Sequence, residues 1–374
     1  MASQLFSPLS IRGATYSNRI AVSPMAQYKG DQGAATRWHD QHLGSFAVSN
    51  PGVVIFESTS VEREGWGSRA CLALHSDAHE RAIGEVLKNI RTYSATPFGI
   101  QFGHSGRKGS GKTPAEGRGA LPVGEGGWVT YGPSALAFGN EYPAPRALDA
   151  QELARVRESY RQAAERANRL DFSLVELHGA HGYLLHTFLS PLSNVRTDQY
   201  GGSVARRAAF VAEVVAAVRS ELSDDRVLGI RLNAHDFTKG GMTFDDTVAT
   251  AHILKEAGID YVCVSAGAIS SEASIRAEPG YLVPYASRLK KETGLHAFVT
   301  GMILKPQQAE SVIADGHADM VEIARGFLDN PRWVWHAAEA LGVDIDILMQ
   351  FWMAKPGRWP GARLLRGAAS PSHT

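Results

Sequence analysis

A single-domain (β/α)8 barrel is the fold this sequence predicts, on three observations. Eight short apolar runs recur along the chain, at residues 20–23, 53–56, 98–101, 173–177, 227–232, 261–264, 297–300 and 320–323. They are continuous rather than alternating, as strands of a parallel sheet buried on both faces require. Longer amphipathic segments separate them, and no Gly-x-Gly-x-x-Gly follows an early run, which disfavours an open dinucleotide-binding sheet.

Four of the separating segments carry explicit helix signals. Asp149 precedes 150–168, and Glu152 three residues on completes a capping-box pattern. Ser203 caps 204–221, and Thr243 caps 244–257, which Gly258 ends. Lys305-Pro306 opens 307–315. Two regions break the repeat. Residues 105–146 are rich in Gly and Pro and read as an excursion over the barrel mouth, since so long a loop in a compact domain is usually functional or disordered. The tail holds Phe351, Trp352 and Trp359 among Gly, Pro and Arg. It is expected to be disordered or to dock through its aromatic residues at a subunit interface. The barrel is assigned to 1–345 and the tail to 346–374.

Composition narrows the function. The 374 residues suffice for one large barrel, and 44% apolar with 20% charged residues is ordinary for a globular enzyme. Zero net charge removes the electrostatic case for nucleic acid or an anionic membrane surface. Cys71 and Cys263 lack the spacing of a zinc or iron–sulfur site and read as small buried hydrophobes. A reducing cytoplasm is the simplest compartment. Residues 1–12 show no signal-peptide pattern, and no apolar stretch is long enough to span a bilayer.

Barrel enzymes carry their chemistry at the C-terminal ends of the strands. The first run ends in Ser23-Pro24-Met25-Ala26-Gln27-Tyr28 and the second in Glu57-Ser58-Thr59. The third ends in Gln101, followed by His104, Arg107 and Lys108. The fourth runs into Glu176-Leu177-His178-Gly179-Ala180-His181-Gly182-Tyr183. The fifth gives Arg231 and Asn233, and the sixth Ser265-Ala266-Gly267. The seventh gives Thr300-Gly301-Met302, and the eighth Ala324-Arg325-Gly326. Imidazoles can donate to a substrate oxygen and a phenol can deliver a proton. Backbone amides after the last two strands, with Arg325, suit a phosphate. Flavin mononucleotide fits the set: Gln101 at the pyrimidine edge and Arg231 near N1 and O2, where reduction places negative charge.

Blander readings stand beside these. His178 and His181 could be core residues or metal ligands, although no neighbouring carboxylate or cysteine completes a metal set. Gln101 could satisfy backbone groups, and Arg231 could neutralise Glu57 or Glu176. Arg107 and Lys108 read as a solvated pair, with a phosphate or NADPH contact as the alternative. Trp352 is a weak candidate for the site wall. A non-redox phosphate-binding barrel lyase or isomerase would need a Schiff-base lysine or a carboxylate metal set at the strand ends, and neither stands there.

The blocks Ser23-Pro24-Met25, His104-Ser105-Gly106-Arg107-Lys108, His178 to Leu184, Arg196-Thr197-Asp198, Tyr200-Gly201-Gly202-Ser203 and Ala324-Arg325-Gly326 together are specific. Through them the chain resembles the old yellow enzyme family of FMN-dependent ene-reductases, most closely its bacterial, thermophilic-like or xenobiotic reductase branch. The likeness runs from about residue 5 to residue 331. It implies a barrel with FMN on its C-terminal face, touched by Ser23, Pro24, Met25, Ala26, Ser58, Gln101, Arg231, Ala324 and Arg325; Gly301 and Met302 join them through the phosphate cup read at the end of the seventh run. It implies that His178 and His181 bind the substrate's activating oxygen, that Tyr183 is the proton donor, and that Tyr28 faces substrate. NADPH, with NADH possible, would be the hydride donor. An alkene activated by a carbonyl or nitro group would be the substrate, and a homodimer or homotetramer the assembly. No metal is implied. Ala26 stands where the branch usually has Cys, and Met353 where it often has an Arg reaching a partner subunit.

Overall fold

The eight apolar runs form eight parallel strands of one closed barrel. A computed structural model describes residues 2–355, 358, 359, 361 and 362. The strands are β1 (Ile20–Val22), β2 (Val53–Ser60), β3 (Phe98–Gly103), β4 (Leu174–Gly179), β5 (Val227–Asn233), β6 (Tyr261–Ser265), β7 (His296–Val299) and β8 (Met320–Ile323). Closure comes from β8 pairing with β1, where Val321 lies opposite Ile20.

Two hydrophobic layers explain why the runs are continuous. Ile20, Val22, Val54, Phe56, Phe98, Ile100 and Val175 face outward and pack under the helices. Ala21, Val53, Ile55, Leu174, Val227, Tyr261, Phe298 and Met320 fill the inside, closed at the N-terminal end by Leu9, Ile11 and Tyr16 of the hairpin Leu9–Ile11 and Ala14–Tyr16. Every strand is therefore buried on both faces. The inward positions change character with height. Leu174-Glu176-His178 and Val227-Gly229-Arg231-Asn233, read two residues apart, go from apolar floor to polar mouth.

The helices are α1 (Arg37–Ala47), α2 (Asp77–Arg91), α3 (Ala150–Arg169), α4 (Leu184–Leu189), α5 (Val204–Arg219), α6 (Phe244–Ala257), α7 (Val283–Thr293), α8 (Pro306–Ala314), α9 (Arg325–Asp329) and α10 (Trp333–Ala340). The four signalled starts are all present. Asp149 and Glu152 form a reciprocal capping box, Ser203 accepts from the Arg206 amide, and Thr243 pairs with Asp246. Gly258 ends α6 in the left-handed region at φ 114°.

Three expectations need correction. β2 continues past residue 56, because Glu57-Ser58-Thr59 stays extended through a register shift between Phe56 and Thr59. Gly103 on β3 accommodates that irregularity, since a Cβ there would lie 2.1 Å from Ser58 Oγ. Arg107 is no solvated residue. It is buried and donates to the carbonyls of Leu136, Ala137 and Ile269, tying the 105–146 excursion to the loop after β6. Trp352 does not line the mouth of its own barrel, for it borders a separate cavity beside Trp335 and Ala338 of α10. The tail's Phe351 meets the Trp335 ring edge-on at 5.3 Å, with the Arg332 guanidinium 4.8 Å from each. Residues 363–374 of the tail assignment lie outside the described residues.

Candidate active site

The loop after β4 brings three aromatic groups together. The His178 ring lies 4.8 Å from both the His181 and Tyr183 rings, edge-on to each. The Ala180 amide points at His178 Nδ1 from 3.4 Å, which leaves Nε2 as the N–H donor. His181 is held from three sides. Its amide donates to Asn233 Oδ1 (3.2 Å), its carbonyl accepts from Lys108 Nζ (2.9 Å), and its Nε2 meets Ser265 Oγ (2.8 Å). Those bonds sustain a left-handed backbone at φ 60°, rare for a side chain with a Cβ and typical of functional sites. Gly267 gives the ring its space, since a Cβ there would sit 2.3 Å from it. Nδ1 is then the atom of His181 left for a ligand.

Behind this loop, His186 accepts the Gly182 amide at Nδ1 and donates from Nε2 to Asp236, both at 2.9 Å. That pair fixes the turn into Tyr183. Burial, with the nearby charges of Arg231 and Lys108, drives both site imidazoles well below their usual 6.5. They are neutral donors at pH 7. Burial also raises the Tyr183 phenol well above 10, with Cys71 and Tyr28 adding to the effect, so it keeps its proton.

Lys108 is partly buried, which corrects its reading as solvated. Its ammonium lies 4.9 Å from the Tyr183 ring centre, and burial and Arg107 push it down to about 8. A cavity of about 150 Å³ opens here, bounded by Ala26, Tyr28, Ser58, Cys71, Lys108 and Tyr183. Cys71 is half-buried and borders the mouth, while Cys263 is buried as a small hydrophobe would be.

The neighbouring Ser105–Lys108 turn hangs on His104. Its Nδ1 accepts the Gly106 amide (3.0 Å) and its Nε2 donates to Glu62 Oε1 (2.9 Å), while Arg155 and Ser159 of α3 donate to Oε2. Burial opposes the Glu62 charge, but His104 and Arg155 outweigh it and hold the carboxyl down at about 2. A depressed acid contributes stability above its ordinary 4.5, and the contribution is lost as pH falls toward 2. The thermal unfolding midpoint should therefore drop more steeply across that window in the parent than in Glu62→Gln, measured by circular dichroism.

Beneath the mouth, Gln101 and Arg231 point at one carboxylate. Gln101 Nε2 donates to Glu176 Oε1 at 2.7 Å and Arg231 Nε to the same atom at 3.0 Å. Arg231 Nη2 reaches Glu322 and Ser23 Oγ. The partners of Arg231 are thus Glu176 and Glu322, not Glu57, which faces His39 at 3.3 Å and accepts the Gln27 amide. Glu176, Cys263 and Glu322 place ligand atoms within 4.8 Å of one another, but both carboxylates are already engaged by the one guanidinium of Arg231.

Across the mouth lies a cup of backbone donors. Gly301 and Met302 turn through φ 104° and 54°. Among the described residues, the amides of Gly301, Met302, Ala324 and Arg325 have no acceptor. Arg325 is exposed and has no acidic partner among them. Free amides beside an unpaired guanidinium suit a phosphate, and the amide and guanidinium of Gln101 and Arg231 suit a flavin's pyrimidine edge. The donor set therefore fits FMN. Glu322 and Tyr261 carried no site reading in the sequence, and Ser265 and Lys108 stood at strand ends without the role of holding His181. A lone acid inside the apolar run 320–323 was the available signal for Glu322.

Residues 4–343 match the NADH:flavin oxidoreductase / NADH oxidase family. The chain is 37% identical to an NADPH dehydrogenase of Geobacillus sp. (strain WCH70) over 353 residues, covering 94% of this chain and 98% of that one. It is 33% identical to NADPH dehydrogenase of Bacillus subtilis (strain 168), covering 94% and 99%. Morphinone reductase in complex with tetrahydroNAD superposes with a TM-score of 0.75 at 26% identity, over 92% of this chain and 93% of that one. 2-Naphthoyl-CoA reductase gives 0.81 at 25%, over 92% of this chain and 53% of that one. The chain therefore belongs to the NADH:flavin oxidoreductase / NADH oxidase family, within the old yellow enzyme group, and is an FMN-dependent NAD(P)H oxidoreductase.

Proposed function

We propose that this enzyme uses NADPH to reduce the C=C bond of α,β-unsaturated carbonyl or nitro compounds. The observation that carries the proposal is two neutral imidazoles and a protonated phenol set edge to edge at the end of β4. FMN, when bound, supplies hydride transfer from the nicotinamide to the alkene's β-carbon. Ser23, Pro24, Met25, Ala26 and Ser58 would line its ring, with Gln101 and Arg231 at the pyrimidine edge. Gly301, Met302, Ala324 and Arg325 would hold its phosphate. His178 Nε2–H and His181 Nδ1 face the substrate oxygen, on which negative charge builds. Donors fixed where charge develops are usually the largest catalytic contribution. Tyr183 gives its proton to the α-carbon, and Tyr28 flanks the substrate. Nicotinamide and alkene occupy the same mouth in turn, so the kinetics are ping-pong.

Purified protein should be yellow. Its flavin absorbance should bleach anaerobically on adding NADPH and recover on adding 2-cyclohexenone. A protein that cannot be loaded with FMN, or a reduced flavin indifferent to enones and nitroalkenes, would overturn the reading.

Two further assignments belong to the proposal. Among the described residues no helix is long and apolar enough to cross a membrane, and the two thiols are free, which supports a cytoplasmic setting. We also assign 1–345 to the barrel and 346–374 to a segment docking between subunits of a homodimer or homotetramer. Met349 and Met353 are 77% and 69% exposed, unusual for methionine. Light scattering on the parent and on a chain ending at residue 345 tests this; a monomeric parent would overturn it.

A further inference from the structure

A parallel barrel ordinarily fills its interior with apolar layers. This one holds an Arg and two Glu under its mouth, drawn from β4, β5 and β8. Glu176 Oε1 takes both Gln101 Nε2 and Arg231 Nε, and its Oε2 takes the Tyr261 hydroxyl at 3.1 Å. Glu322 holds Arg231 from the other side and accepts Ser23 Oγ at 3.1 Å. Gly229 leaves room for Tyr261, whose ring a Cβ would approach to 2.0 Å. Such buried ion sets contribute little net stability, and well-packed apolar replacements are often as stable or more so. Stability therefore does not account for this one. What distinguishes it is that a single oxygen atom takes a hydrogen bond from both Gln101 and Arg231.

We propose that Glu176 is a positioning residue for that edge, and that its charge, with that of Glu322, sets how readily the flavin accepts electrons. The inference rests on Gln101 and Arg231 facing the pyrimidine edge. Reduction adds negative charge there, and two carboxylates against one guanidinium leave a net negative charge beneath it. Removing one carboxylate charge makes reduction easier. Moving the carboxylate back by one methylene leaves the charge but releases Gln101 and Arg231.

The test compares FMN dissociation constants and midpoint potentials of Glu176→Gln, Glu176→Asp and Glu322→Gln with the parent. Potentials are measured at pH 8, above the value of about 7 to which burial raises Glu176. Glu176→Gln should raise the potential by the equivalent of about a tenfold change in the reduced-to-oxidised affinity ratio, roughly 30 mV for a two-electron couple. Glu322→Gln should shift it in the same direction, and it serves alone if Glu176→Gln does not fold. Glu176→Asp should weaken FMN binding about tenfold with a smaller potential shift. Unchanged potentials in both Gln variants would overturn the inference. Gln101→Leu and Arg231→Lys test its premise separately. If they leave FMN affinity and potential at parent values, the placement of the pyrimidine edge fails. If they change these values while the Glu variants do not, the inference fails alone.

Discussion

Replacing Tyr183 with Phe is expected to slow alkene reduction by about 10²- to 10⁴-fold, the range for losing a positioned general acid. Reduction of the bound flavin by NADPH should stay near the parent rate, because that half-reaction needs no proton at carbon. The ring itself should stay in place. The Tyr183 backbone is fixed by the His186–Gly182 bond, and the ring packs on His178 and under Lys108. Anaerobic stopped-flow separates the two half-reactions. Equal loss in both would contradict the assignment of Tyr183 as proton source.

Replacing His178 or His181 with Ala should each cost about 3 kcal/mol in the alkene half-reaction, on the scale of one donor lost to a developing oxyanion. That corresponds to a loss of 10²- to 10³-fold. The two effects should not add. His178 and His181 share one face, so the double variant should lose less than the product of the single losses. His181→Ala should also loosen the loop, since it frees Ser265 Oγ from its imidazole partner. Single-turnover reoxidation by 2-cyclohexenone reads both effects. Parent-like rates in His178→Ala would remove that residue from the oxygen site.

The barrel was legible because its strands are apolar on both faces, and the helices that were marked carried Asp149, Ser203, Thr243 and Gly258. Strand ends were less legible. Glu57 to Ser60 and His178-Gly179 remain extended although polar, because the inward face turns into the site at that height. α1 went unmarked because its capping partner is His39 rather than an acid or amide, and α7 because it starts without a side-chain cap. The His178-to-Tyr183 constellation was legible because it is local. The Arg231 network was only half legible: its partners are 55 and 91 residues away, and which carboxylates meet it is decided by barrel closure. Arg107 and Lys108 looked solvated because their buried partners come from the 105–146 excursion and from the loops after β4 and β6.

The most direct test of the account is where hydrogen from NADPH ends up. The enzyme is incubated in ordinary water with NADPH fully deuterated at C4 and with 2-cyclohexenone, and the product is read by NMR. One deuterium is expected at C3, the β-carbon, and none at C2, which receives its hydrogen from water by way of Tyr183. Deuterium at C2, or an unreduced alkene in the presence of a flavin that NADPH does reduce, would contradict it.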